Sequence, residues 1–241
     1  MALRNNFFLF TLLYSSLAYC QSSLNVGIQV GGNFTKCHLA DPGVADLSTP
    51  INLRPLFGLQ IEYVLRNKYL FQTGGNKVNK GVSVRDNSVD VVGPYKYTTT
   101  IETTEIPFLL GYRRNISDKK GVFIKVGGSM NFDYVWKRGR APGEKVDTTN
   151  SVTENGANNE TRTSANAIAE IGYYKIGKRG VRYDINLIYS QGFSTIQTFY
   201  TTFTRETNLL RTPYSSNGSY IGITASFTYD ILRFKNSNNS K

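Results

Sequence analysis

The stretch GVFIKVGGSMNFDYVW, Gly121–Trp136, is two interleaved sequences. Every second residue gives Val122, Ile124, Val126, Gly128, Met130, Phe132, Tyr134 and Trp136, and the set between them is Phe123, Lys125, Gly127, Ser129, Asn131 and Asp133. Successive side chains of a strand point to opposite faces, so the segment reads as one strand with a greasy and a polar face. It is roughly three times the usual strand length. The fold turns on what the greasy face meets: a protein core or lipid.

Seven further segments repeat the pattern. Leu24, Val26, Ile28 and Val30 alternate with Asn25, Gly27, Gln29 and Gly31, and Phe57, Leu59, Ile61, Tyr63 and Leu65 alternate with Gly58, Gln60 and Glu62. A third segment, Lys68–Val78, is the least regular. In the fourth, Ile106, Phe108, Leu110 and Tyr112 oppose Glu105, Pro107, Leu109 and Gly111. Pro107 lacks a ladder donor, which predicts a local bulge there. Beyond the opening strand, which is the fifth, Ala167–Tyr173, Val181–Tyr189 and Ile221–Ile231 carry the same alternation.

Eight is an even number, and the connections alternate in length. Arg66–Asn67, Arg114–Lys120 and Gly177–Gly180 are brief, whereas Thr35–Arg54, Asn79–Lys96, Lys137–Thr163 and Phe193–Asn217 are long and polar. Short turns at one end and long loops at the other define an up-and-down barrel of the outer-membrane kind. The expected fold is all-β, an eight-stranded antiparallel transmembrane β-barrel with the architecture of the small OmpA/OmpX-type barrels.

The ends of the chain suit that fold. Arg4, the apolar run Phe7–Leu17 and the small residues Ser15, Ser16 and Ala18 read as a secretory signal peptide over residues 1–20. The barrel is then expected over residues 21–234, with a short disordered tail at 235–241. Leu17-Ala18-Tyr19-Cys20 also resembles a lipoprotein box, so acylation of Cys20 stays open beside its removal. If Cys20 leaves, Cys37 is the one remaining thiol and no intrachain disulfide can form. No internal apolar run is long enough for a membrane-spanning helix. The formal charge is +11 from 28 basic and 17 acidic residues. For an exported chain this points to anionic lipid or lipopolysaccharide, or to an ordinary solvated basic surface, rather than to nucleic acid.

A secreted lipocalin-like barrel, apolar side inward around a ligand, is the competing fold. The polar face separates the two. Gly27, Gly31, Gly58, Gly111, Gly127, Gly172 and Gly222 fall on it, where a narrow lumen needs small residues and a solvated exterior does not. Charges of both signs share that face: Glu62, Glu105, Asp133, Glu170 and Asp184 with Lys125 and Arg182. Buried charges survive when paired, so these seven are expected to form a lumen network that plugs the interior, unless individual members lie at the wet rims. On the greasy face, aromatics such as Phe132, Tyr134, Trp136 and Tyr173 gather toward segment ends, as interface girdles do.

Those residues resemble the small outer-membrane barrels of Bacteroidetes often grouped as PorT-like. The matching stretches are NVGIQVGGNF (Asn25–Phe34), EIPFLLGYR (Glu105–Arg113), the glycine-rich fifth strand and YIGITASFTYDI (Tyr220–Ile231). The resemblance implies insertion by the outer-membrane assembly machinery, with the last strand as its recognition signal. The chain departs from the pattern by running on as LRFKNSNNSK, unless Phe234 counts as the terminal aromatic. The secretion role of the family's namesake does not carry over on these residues.

Catalysis finds little support. The single histidine, His38, adjoins Cys37, and neighbours on an extended chain point apart. Glu102 and Glu105 fall on opposite faces, unlike a glycosidase pair. No metal, cofactor or nucleophile motif is present. One surface cluster stands out: Trp136, Lys137, Arg138 and Arg140, an interface tryptophan followed by cations, which could contact lipopolysaccharide phosphates. The long loops are where a protein partner would bind.

Overall fold

The structure is a computed structural model that describes residues 22–35, 38–39, 47–86, 96–139, 152–155, 161–177, 180–205 and 208–234. The expected signal peptide, Cys20, Cys37, Arg140 and the expected tail lie outside the described residues.

The described residues are strands and their connections, with no α-helix among them. In chain order they are β1 (Ser22–Thr35), β2 (His38–Leu39), β3 (Leu47–Ser48), β4 (Asn52–Leu65), β5 (Tyr69–Asp86), β6 (Lys96–Ser117) and β7 (Lys120–Gly139). These are followed by β8 (Val152–Asn155), β9 (Thr161–Ile176), β10 (Val181–Gly192), β11 (Gln197–Arg205), β12 (Asn208–Ser216) and β13 (Tyr220–Phe234). The eight long ones pair antiparallel in the cycle β1-β4-β5-β6-β7-β9-β10-β13, and β13 returns to β1. The sheet is therefore a closed eight-stranded barrel with no free edge, the form in which every backbone group of a lipid-embedded sheet finds a partner. Ser22 pairs with both Leu65 and Phe234, so the first and last barrel residues meet at the short-turn end.

The opening stretch decides the solvent. Ile124 and Val126 are each 53% exposed, while Lys125 between them is 1% exposed. The same parity holds around the barrel: Ile28, Leu59, Phe108, Leu110, Ile171, Ile185 and Ile223 all point outward. The lipocalin alternative requires the opposite phase. On β7 the outward apolar residues run from Val122 to Phe132. At about 3.3 Å per residue and a tilt near 45°, that length covers the roughly 25 Å apolar band of a barrel in a bilayer.

Several local expectations change. Pro107 makes no bulge: β6 stays in register with β7 through Pro107 opposite Ser129. On its other side the β5–β6 ladder lapses, running from Thr73–Phe108 to Asn76–Glu105 in unchanged register, so the proline sits where no partner is required of it. Register shifts lie elsewhere: at Thr98/Thr100 and Asn115/Ser117 between β6 and β7, and in β13, where Leu24 pairs with Leu232 and Asn25 with Asp230, skipping Ile231. The extra residue turns Ile231 and Leu232, adjacent in sequence, both outward.

The third strand does not end at Val78. It continues to Asp86, into the segment expected as loop, and β6 begins at Lys96. The turn expected over Arg114–Lys120 narrows to 118–119, because β6 and β7 run to Ser117 and Lys120. The segment expected as the loop Phe193–Asn217 contains the hairpin β11–β12, which with β2 and β8 makes a second, four-stranded sheet at the long-loop end.

Candidate functional site: the lumen and its rims

Viewed from the short-turn end upward, the lumen is filled in layers. Val64, Leu70, Phe123 and Tyr174 form an apolar floor. Strand alternation places Glu62, Gln72 and Lys125 one pleat higher, facing inward in a polar and charged tier. Arg182 spans the tier: Nη1 donates to Glu62 Oε1 at 2.5 Å, while Nε and Nη2 donate to the two Asp184 oxygens at 2.9 and 3.0 Å. That is the forked, two-oxygen geometry a guanidinium supplies and an ammonium does not. Lys125 Nζ lies 3.3 Å from Glu62 and 3.2 Å from Glu170, and it donates to the Gln72 side-chain oxygen. Glu62 on β4 thus joins Lys125 on β7 to Arg182 on β10, linking walls far apart in sequence.

A second apolar layer follows, made of Leu56, Val78, Leu109, Ile168, Ile188 and Tyr220. Above it lies an upper polar tier. Lys80 Nζ is 3.5 Å from Asp133, whose oxygens also accept from Thr103 at 2.6 Å and from Ser164. Glu105 accepts from the Tyr220 hydroxyl at 3.0 Å and from Asn76 at 3.3 Å. Between the tiers, Asn186, Gln29, Thr224 and Ser226 bond to one another across neighbouring strands. The lumen holds side chains through its length, and its charges face one another within it.

All seven of the expected lumen residues face inward and are buried. They form two groups rather than one: Glu62, Lys125, Glu170, Arg182 and Asp184 below, and Glu105 and Asp133 above. Two cations were missed. Lys80 fell in a segment read as loop, although its spacing from Asn76 and Val78 continues the inward phase. Arg113 lies toward the short-turn end of β6 on the inner face, where its Nε donates to the Asn67 carbonyl at 3.0 Å and its Nη2 to the Asn67 side chain. Its guanidinium and that of Arg182 both lie over the Tyr174 ring, 5.7 and 5.9 Å from the centroid.

The glycines of the inner face serve closer contacts than expected. A Cβ at Gly27, Gly31 or Gly127 would strike a backbone carbonyl of the adjacent strand, and one at Gly172 would strike the Phe123 ring. Room between neighbouring strands, as much as room across the lumen, excludes side chains there.

Glu105 is inward, whereas Glu102 pairs with Lys77 at 3.0 Å outside the lumen. Among the described residues no group of three or more His, Cys, Asp or Glu side chains converges as a metal would require. The backbone of His38 pairs with Ser215 in the second sheet. Trp136, Lys137 and Arg138 occupy the long-loop end of β7, with Trp136 opposite Thr100, and their side chains lie outside the described residues.

The family comparison agrees with this architecture. The model of a family described as "Outer membrane protein beta-barrel domain" matches residues 16–197. No curated protein matches the sequence. Among solved structures, the chain is similar to the outer membrane protein OprG of Pseudomonas aeruginosa, at 11% identity over 88% of this chain and 96% of that one, with a TM-score of 0.49. It is also similar to Ail, the attachment invasion locus protein of Yersinia pestis, solved with the heparin analogue sucrose octasulfate, at 9% identity over 86% and 99% of the chains and a TM-score of 0.41.

Proposed function

The chain belongs to the outer membrane protein β-barrel family, and we propose that within it the protein works as a closed scaffold that presents its long-loop end to a partner. It is located in the outer membrane. The observation that carries the proposal is the filled lumen: two charged tiers and two apolar layers occupy the space a solute would need. What remains for interaction is the surface outside the bilayer. Among the described residues, the second sheet belongs to that surface at the long-loop end.

The scaffold is non-enzymatic in this reading. Its closer kinship is with the PorT-like barrels of Bacteroidetes, on the strength of the EIPFLLGYR and NVGIQVGGNF stretches. Residues 1–20 act as the export signal, with mature chain from Gln21, and β13 with its Phe234 serves recognition by the assembly machinery. Trp136, Lys137, Arg138 and Arg140 contact lipopolysaccharide at the outer rim. Neutralising the three cations together should lower lipopolysaccharide co-purification, and unchanged co-purification would remove that contact from the scheme.

The scaffold reading is tested in planar bilayers. Purified protein that migrates as the folded, heat-modifiable form should insert without discrete conductance steps. Stable channels in that preparation would show that the lumen opens, and a solute-passing role would replace the scaffold.

A further inference from the structure

The short-turn rim carries a feature that the scaffold role does not use. The turn after β4 is short, and β6 and β7 run past it as a longer hairpin, so a cleft of about 350 Å³ opens between the turn and the protruding end of β6. Arg66, Lys68, Tyr112, Arg113 and Arg114 line it. Arg113 is buried and holds the turn through Asn67, while its backbone N–H donates to the Lys68 carbonyl at 2.7 Å. Arg66, Lys68 and Arg114 are exposed. The carboxylate at the hairpin tip, Asp118, does not line the cleft.

The depth of the cleft in the membrane is set by its neighbours. Tyr69 and Tyr112 pair across β5 and β6, their rings edge-on at 6.0 Å, and both are exposed on the lipid face. Tyr183–Phe227 makes a second edge-on outward pair toward the same end. Aromatic rings with polar tips gather where acyl chains give way to head groups. Arg114 lies two residues beyond Tyr112 on the same face, roughly 7 Å further along the strand and at head-group level. Short turns face the periplasm in such barrels, so this is the inner leaflet.

We infer that the cleft is a binding site for the phosphodiester of an anionic phospholipid in the inner leaflet of the outer membrane. The forked donors of Arg66 and Arg114 and the ammonium of Lys68 meet the phosphate oxygens, and the tyrosine pair lies beside the glycerol and upper acyl chain. Arg113 is a positioning residue that fixes the turn on which Arg66 and Lys68 stand. The site lies at the opposite end from the scaffold's partner surface and does not depend on that role.

The test is native mass spectrometry of the purified full chain in detergent, equilibrated with dioleoylphosphatidylglycerol or with dioleoylphosphatidylcholine, which share the phosphodiester but differ in net charge. The protein should retain phosphatidylglycerol over phosphatidylcholine. The variant Arg66→Gln/Lys68→Gln/Arg114→Gln should lose that retention by about tenfold or more, since each cation near an anionic surface contributes appreciably. Heat-modifiable migration confirms that the variant is folded. If it is not, Lys68→Gln/Arg114→Gln leaves the turn residue in place and should still weaken retention several-fold. Equal retention of the two lipids, or wild-type retention by the folded variants, overturns the site. Displacement of phosphatidylglycerol by equimolar sn-glycerol 3-phosphate would reassign it to a soluble phosphate. Cosedimentation with peptidoglycan that depends on the same cations, without a lipid preference, would reassign it to the cell wall.

Discussion

Lys125 shows what one buried residue does in a lumen packed with side chains. Its ammonium faces two carboxylates on different strands and a glutamine oxygen, and it lies 4.2 Å over the Phe123 ring. Removing one member of a buried charge group strands the others, which costs about 3–5 kcal/mol, whereas removing charge in balance costs far less. Lys125→Met should therefore lower stability by that amount, read as a shift in the urea midpoint of the folded band. Adding Glu170→Gln should recover part of the loss. A midpoint unchanged by Lys125→Met would mean that the carboxylates reach water.

Arg66 offers the opposite sign. With φ of 52° at Arg66 and 60° at Asn67, and Lys68 N–H donating to the Leu65 carbonyl at 3.1 Å, the turn is type I′. An arginine in the left-handed region is costly where asparagine or glycine is not. Arg66→Asn should raise stability by up to about 1 kcal/mol, while removing one cation from the rim cleft. Opposed changes in midpoint and lipid retention would separate folding from binding at one position.

Among the elements, β7 supplies the depth scale. Val126 lies near the middle of its outward apolar run and Phe132 near the upper end. Val126→Arg should destabilise the barrel by about 2–4 kcal/mol and Phe132→Arg by about 0–1 kcal/mol, because the cost of a lipid-facing cation falls from midplane to interface. Equal costs would place the membrane elsewhere on the strand. The alternation of β7 was legible from residues alone, since a period of two needs no knowledge of neighbours. The reach of β5 was not: in Asn79–Asp86 the two valines, Val82 and Val84, share the phase of Lys80 and stand among polar residues, and pairing with β6 and burial of Lys80 against Asp133 make it strand. The bulge expected at Pro107 failed for a related reason. A proline costs a ladder bond only where the neighbouring strand offers a partner, and the β5–β6 ladder offers none there.

For the whole molecule, closure is the stabilising device. The eight-strand cycle is complete without β11 and β12, whose partners are each other, β8 and β2. Replacing residues 198–215 with a short flexible linker, which keeps buried Ile196 and Ser216, should leave a barrel that migrates as the folded form before heating. Loss of that form would mean that the second sheet is needed for closure.

The sequence alone carried the phase of seven of the eight long strands, the strand number and the side on which lipid lies, because alternation is a local property of the backbone and bilayer thickness sets a length the segments must meet. It also named seven of the charges that face inward. Which charge meets which, the division into two tiers, the place of Lys80 and Arg113, and the basic cleft at the rim were decided by tertiary structure. Their geometry depends on the tilt and stagger with which eight strands close, and that sum over all pairings is written in no single segment.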